Sequence, residues 1–168
     1  MSIYLTQGSP VGELLLVGEP TRDGVALTSV SMTGQRYAPR IQDDWRLSPG
    51  AFTDAAGQLE AYFAGERTAF DLDLAPDGGT PFQRRIWQAV DSVRYGTTIT
   101  YGELAAQLGV PRDRIVAVGA AIGANPLLIV RPCHRVVGVD GTMRGYAGGV
   151  ERKQWLLAHE GVLLAAFG

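Results

Sequence analysis

The sequence predicts a chain in two parts, a strand-rich α/β first part and a mainly helical second part. Three observations carry this. Short apolar and β-branched runs crowd the first thirty residues, Ala75-Pro76-Asp77-Gly78-Gly79 breaks the chain, and helical spacing dominates beyond it. A length of 168 residues suits one globular unit or two small packed domains, and the break places these at 1–79 and 80–168.

The elements follow in order. Ile3 to Thr6, Gly12 to Val17 and Gly24 to Val30 read as strands, separated by the turn residues of Ser9-Pro10 and of Glu19 to Gly24. A polar, irregular stretch runs from Thr33 to Pro49. Thr53 or Asp54 can then cap a helix whose Leu59, Tyr62 and Phe63 keep helical spacing up to Gly65. Phe70-Asp71-Leu72-Asp73-Leu74 alternates as a strand does. Beyond the break, Thr80-Pro81 is a good helix start, and Phe82, Ile86, Trp87 and Val90 share one apolar face. Tyr101 to Leu108 and Arg112 to Ala124 form two short helices about Gly109-Val110-Pro111, a helix-turn-helix outline. Leu127 to Val130 is an apolar run, Gly141 to Gly149 a glycine-rich loop, and Glu151 to His159 a last helix.

Composition narrows the function. No apolar run nears the ~20 residues that span a bilayer, and the first residues lack the pattern of a signal peptide. A single cysteine allows neither an internal disulfide nor a cysteine-rich zinc site, so a reducing cytoplasm is the expected compartment. Net charge is only −2, yet it is unevenly spread. Residues 1–80 carry 11 acidic side chains against 5 Arg, and residues 81–168 carry 6 against 10 basic ones. Fourteen of the 15 cations are arginine, which suits bidentate phosphate contacts. The basic half therefore points to an anionic partner.

Residues 129 to 138, I-V-R-P-C-H-R-V-V-G, hold the only cysteine and one of two histidines side by side. A free thiol is mostly protonated at neutral pH, so a nucleophilic Cys133 needs a group to take its proton, and His134 is the nearest candidate. Neighbours in an extended chain point apart, so either the chain turns sharply after Pro132 or the proton crosses a water. Glu160 can hold the imidazole. The alternative is an inert buried thiol beside an incidental histidine.

These residues resemble the O6-alkylguanine-DNA alkyltransferases. The resemblance rests on Pro132-Cys133-His134-Arg135-Val136 with Asn125-Pro126 before it, Gly145-Tyr146-Ala147-Gly148-Gly149, and Trp155 to Gly161. Thr80-Pro81-Phe82-Gln83 and Tyr95 to Leu104 also fit, so residues 80–161 match closely and 1–79 only loosely. The resemblance implies a ribonuclease-H-like first domain on a small antiparallel sheet and a helical second domain carrying the helix-turn-helix. It also implies a methylated-DNA–protein-cysteine methyltransferase activity. Cys133 would take the alkyl group from O6-alkylguanine in duplex DNA once and irreversibly, with no cofactor and no metal.

By the same resemblance His134 is the base, Glu160 its orienting carboxylate, Tyr101 the donor to the guanine, and Asn125 the tie between helix-turn-helix and active site. Val136, Met143, Tyr146, Ala147 and Gly148 would shape the pocket; the family often has serine where Ala147 stands. The target base would be flipped, and Ala117, Gly119, Ala120 and Gly123 would approach the minor groove, with Thr97 and Arg135 also at the DNA. The protein would act as a monomer, with O4-alkylthymine a further open substrate. Arg131 is left without a role, a phosphate contact near the pocket being its open reading.

One feature departs from the family. Its members place an arginine before the Ala-Val-Gly of the second helix, where it fills the space of the flipped base; Val116 stands there in this chain. Arg114 lies two residues earlier, or ~200° around a helix, and the segment from Pro111 to Asn125 is one residue longer. Either Val116 is an apolar wedge, or an altered turn re-aims Arg114. Two rival functions stay open: a cysteine hydrolase that turns over, and a binder of alkylated DNA that repairs nothing.

Overall fold

The computed structural model describes residues 1–36, 38–138 and 146–162. The chain divides into two compact units, Met1–Asp77 with Pro126–Val130, and Gly78–Asn125 with the residues from Arg131 onward. The expected second part is thus interrupted. The apolar run Leu127-Leu128-Ile129 is buried in the first unit, where Leu127 bridges Val30, and Val30 N donates to Pro126 O.

The first unit is a four-stranded sheet in the order β3-β2-β1-β4, with β1 Ile3–Gln7, β2 Leu14–Thr21, β3 Gly24–Met32 and β4 Arg46–Leu47. β1–β2 and β2–β3 are antiparallel, while the two-residue β4 adds a parallel edge inside the stretch expected to be irregular. A bulge at Val17/Gly18 shifts the register, and only glycine fits there: a Cβ on Gly18 would lie 2.5 Å from the Ala26 carbonyl oxygen. Alternation along the strands buries Leu14 and Leu16 with Val30 and Met32, and the bulge brings Leu27 into the same row; Phe52, Leu59 and Tyr62 are buried as well.

Two expectations change in this unit. Helix α1 (Thr53–Phe63) starts from a 3-10 turn over Pro49–Phe52, so Thr53 is its first residue and its hydroxyl donates back to Gly50 O instead of capping. Phe70 to Leu74 forms one bridge, Leu74 to Leu27, in place of a strand. The Gln58 side chain takes both hydrogen bonds of the Asp71 backbone, which a neighbouring strand would otherwise have made.

The second unit contains α2 (Pro81–Asp91), α3 (Tyr101–Gln107), α4 (Ile115–Gly123) and α5 (Val150–His159). Thr80 with Gln83, and Thr100 with Glu103, form capping boxes, each satisfying two backbone donors. Trp87 Nε1 donates to Ala121 O at 2.8 Å, and Arg85 to Leu108 O at 2.8 Å, so α2 fixes both helices of the helix-turn-helix. The two-residue strands β5 (Ile99–Thr100) and β6 (Val136–Val137) pair in parallel. That pairing lays the start of α3 alongside the chain just after Cys133. Among the described residues no helix is long and apolar enough to cross a membrane.

Candidate active site

Cys133 lies in a sharply folded segment. Val130 N donates to Leu128 O, and the residue between, Ile129, has φ +72°, a costly conformation for a β-branched side chain. Pro132 (φ −80°, ψ 57°) is the centre of an inverse γ-turn closed by Cys133 N to Arg131 O at 2.8 Å. A 3-10 turn over Cys133–Arg135 then leads into β6. The chain does turn after Pro132, and Cys133 and His134 are both buried.

Glu160 caps the end of α5 with its carboxylate wholly buried, and among the described residues it accepts hydrogen bonds from His134 and Arg135. His134 Nε2 donates to Oε2 at 2.7 Å, and Arg135 grips both oxygens at 2.7 and 3.0 Å. A carboxylate only accepts, so it fixes the imidazole proton on Nε2 and leaves the Nδ1 lone pair free. Among the described residues Nδ1 has no hydrogen-bond partner. Burial holds the His134 pKa below the ordinary imidazole value, against the pull of Glu160, so the ring rests neutral. Its Nδ1 is therefore a base awaiting a proton.

Burial pushes the Cys133 thiol up to about 12, opposed by Arg131, Lys153 and an Asn125 hydrogen bond, while Asp91 adds to the rise. The resting site thus holds a thiol, and thiolate forms only as a proton is removed. Asn125 Nδ2 also donates to Arg131 O at 3.2 Å, joining the chain just past the Ala124 cap of α4 to the turn that carries the nucleophile. Tyr146 packs edge-on to His134, ring centres 6.3 Å apart, with its hydroxyl buried. Val136 and Gly148 are buried and Ala147 half-buried. Met143 lies outside the described residues, as does most of the expected glycine-rich loop.

Two placements differ from expectation. Arg135 is not at a DNA-facing surface: it is 6% exposed, its guanidinium committed to Glu160 and to Val93 O. Arg131 is 2% exposed, so it is no surface phosphate ligand. Lys153 escaped sequence reasoning altogether. It is the only lysine of the chain, fully buried, donates to Val136 O, and sits with Nζ 5.7 Å from the centre of the Tyr101 ring. Burial depresses its pKa to about 8. On α5, Lys153, Leu156, Leu157 and Glu160 follow i, i+3, i+4, i+7 spacing, a buried stripe with a charge at each end. Two charged residues in an otherwise apolar stripe were the signal available.

The helix-turn-helix keeps its exposed side. A 3-10 turn over Arg112–Arg114 leads into α4. Arg114 lays its guanidinium 5.2 Å over the Phe82 ring of α2, and Val116 stands 81% exposed on the first turn of α4. Ala120 is exposed, and Ala117, Gly119 and Gly123 are half-buried. A Cβ at Gly119 would meet nothing within 4 Å among the described residues, so the fold itself does not require glycine there. Thr97 is exposed, its hydroxyl donating to Arg94 O at 2.7 Å.

A buried thiol, a carboxylate-oriented neutral imidazole and an adjoining helix-turn-helix define a cysteine-nucleophile protein of the DNA-binding class. The chain matches the 6-O-methylguanine DNA methyltransferase DNA-binding domain over residues 81–162, and the ribonuclease-like domain of the same proteins over residues 3–76. It is 50% identical to the methylated-DNA–protein-cysteine methyltransferase of Mycolicibacterium paratuberculosis over 157 residues, 94% of this chain and 91% of that protein. The crystal structure of Mycobacterium tuberculosis O6-methylguanine methyltransferase superposes with TM-score 0.84 at 47% identity, covering 95% of this chain and 93% of that one. A structure of the mycobacterial protein in complex with DNA gives 0.86 at 46%, with the same coverage. The chain belongs to the methylated-DNA–protein-cysteine methyltransferase family.

Proposed function

We propose that this chain repairs O6-alkylguanine in duplex DNA by moving the alkyl group to its own Cys133, once per molecule. The observation that carries the reading is the buried His134–Glu160 pair at 2.7 Å, which leaves Nδ1 as an available base in the residue after Cys133, with no direct hydrogen bond among the described residues. The Cys133 proton passes to Nδ1 through a water, and Glu160 offsets the charge the ring acquires. Sγ attacks the alkyl carbon, the C–S bond forms as the C–O6 bond breaks, and the electron pair passes into the guanine. The guanine takes a proton at a ring nitrogen from the Tyr101 hydroxyl, while the Lys153 ammonium over that ring steadies the charge left behind. A thioether has no easy hydrolytic exit, so the chain stops after one transfer. The test follows the alkyl group: one per chain on Cys133 supports the reading. Continued turnover would make the protein a cysteine hydrolase, and binding without transfer would make it a damage binder.

The reactive carbon is out of reach inside a stacked duplex, so the nucleotide is flipped out, and α4 enters the minor groove on its small side chains. An unneeded helical glycine costs about 1 kcal/mol against alanine, and Gly119 is consistent with a helix kept thin for that approach. Val116 is the group that occupies the vacated stack, because Arg114 is held on Phe82. Thr97 stands at the same DNA surface. The chain acts alone, in a reducing cytoplasm.

Val116→Arg is then expected to tighten duplex binding by about three- to tenfold at low salt, the gain shrinking as salt rises. Arg114→Ala should change it by less than about twofold. Fluorescence anisotropy with a duplex carrying O6-methylguanine measures both. A large loss in Arg114→Ala with none in any Val116 variant would give the role to Arg114.

A further inference from the structure

Arg131 has no place in the steps above, yet a guanidinium is costly to bury unless something holds it. Its Nε donates to Asp91 Oδ1 at 3.1 Å, and its guanidinium carbon lies 5.3 Å from the centre of the Trp87 ring. Trp87 and Asp91 are i and i+4 on α2, so one helix face supplies both the aromatic platform and the counter-charge. The pairing is lopsided. The Arg131 side chain is 3% exposed and the Asp91 side chain 46% exposed, so water weakens the carboxylate's hold on a cation that has lost its own hydration. The carbonyl of Arg131 is fixed as well, accepting from Cys133 N across the turn and from Asn125 Nδ2. The turn thus ties the Arg131 backbone directly to that of the nucleophile, two residues along the chain, while Asp91 and Trp87 hold its guanidinium in place. An apolar side chain would fill such a buried position with less desolvation.

We propose that Arg131 is a positioning residue for alkyl transfer: a buried cation, anchored by Asp91 and Trp87, that offsets the negative charge building on the Cys133 sulfur. Asp91 is its moderator, setting how much of that charge the sulfur senses. The other groups acting on the thiol are Lys153 from α5 and the Asn125 amide, while His134 is neutral and the Tyr146 hydroxyl carries no charge at neutral pH. Of the charges opposing the burial of Cys133, Arg131 is the strongest, and Asp91 is the one that works against it.

The proposal rests on Cys133 being the acceptor, and the test separates the two claims. Cys133 is the only cysteine, so the mass gain with iodoacetamide at pH 8 reports this thiol alone. Arg131→Met is expected to slow that alkylation about tenfold, and Arg131→Lys to restore most of it, since one pKa unit is a factor of ten in thiolate. Asp91→Asn is expected to speed it by a similar factor. The same order should hold for single-turnover transfer from O6-methylguanine duplex. A merely structural ion pair would be broken by either change, so the two variants would then move in the same direction. That result, or no change in either variant, overturns the proposal. Should Arg131→Met fail to fold, Asp91→Asn decides alone: faster alkylation supports the proposal, equal or slower alkylation overturns it. If wild type reacts with iodoacetamide yet takes no methyl from DNA, the proposed function fails and not this charge assignment.

Discussion

Glu160→Gln is expected to lower the unfolding free energy by about 3–5 kcal/mol, the usual loss when one partner of a buried ion pair is removed. It should also slow alkyl transfer by about a hundredfold or more. The two losses share one cause. The carboxylate accepts hydrogen bonds from His134 and Arg135 and has no exposure, so a glutamine amide turns one acceptor oxygen into a donor facing other donors. Arg135 is left buried with half of its counter-ion contacts, which accounts for the stability. His134 loses the group that fixes its proton on Nε2, which accounts for the rate. His134→Gln separates them, since the Arg135–Glu160 fork survives: a comparable rate loss with a much smaller stability loss is expected. Urea unfolding and single-turnover rates measure the pair of effects. Glu160→Gln unfolding within 1 kcal/mol of wild type would contradict this account of the fork.

Lys153→Met should leave stability at neutral pH nearly unchanged while still slowing transfer by about tenfold or more. Removing a fully buried ammonium relieves desolvation, and losing its hydrogen bond to Val136 O costs some of that back, so stability at pH 7 should change by no more than about 1 kcal/mol. The difference grows with pH. Lys153 titrates at about 8 in the folded chain against an ordinary 10.5, so between those values the unfolded state binds the extra proton. Wild-type stability therefore gains from Lys153 as pH rises through that window, and below it the cost of the buried charge is fully present. Cys133 works the other way, its thiol held protonated up to about 12 against an ordinary 9, a loss of stability as pH rises that both proteins share. Lys153→Met should thus lose stability relative to wild type between pH 8 and pH 10. Parallel pH profiles would show that Lys153 is not the buried, depressed amine described above.

The division into a strand-rich and a helical part was legible because strand alternation and helix caps are local signals. Thr80-Pro81 and the run from Leu59 to Phe63 needed no distant partner to be read. What escaped depends on partners far along the chain. The two-residue pair of Ile99-Thr100 with Val136-Val137 has no periodicity of its own, yet it sets the start of α3 beside the Cys133 turn. Phe70 to Leu74 alternates correctly yet pairs only through the single bridge of Leu74 to Leu27, the Asp71 backbone being taken by Gln58. In the site, the scarcity that singled out Cys133 applied equally to Lys153, the sole lysine, but a charged residue on a helix reads first as a solvated one. Arg135 was placed at the DNA by the resemblance alone. Only the fold shows that its charge is spent on Glu160.

The central claim, that Cys133 accepts the alkyl group irreversibly, is tested most directly by intact-protein mass after incubation with excess duplex carrying O6-methylguanine. Wild type should gain one methylene, about 14 Da per chain, and then stop, with fragmentation placing it on Cys133 and no gain in Cys133→Ser. An unchanged mass with guanine still being restored, or the same gain in Cys133→Ser, would contradict it.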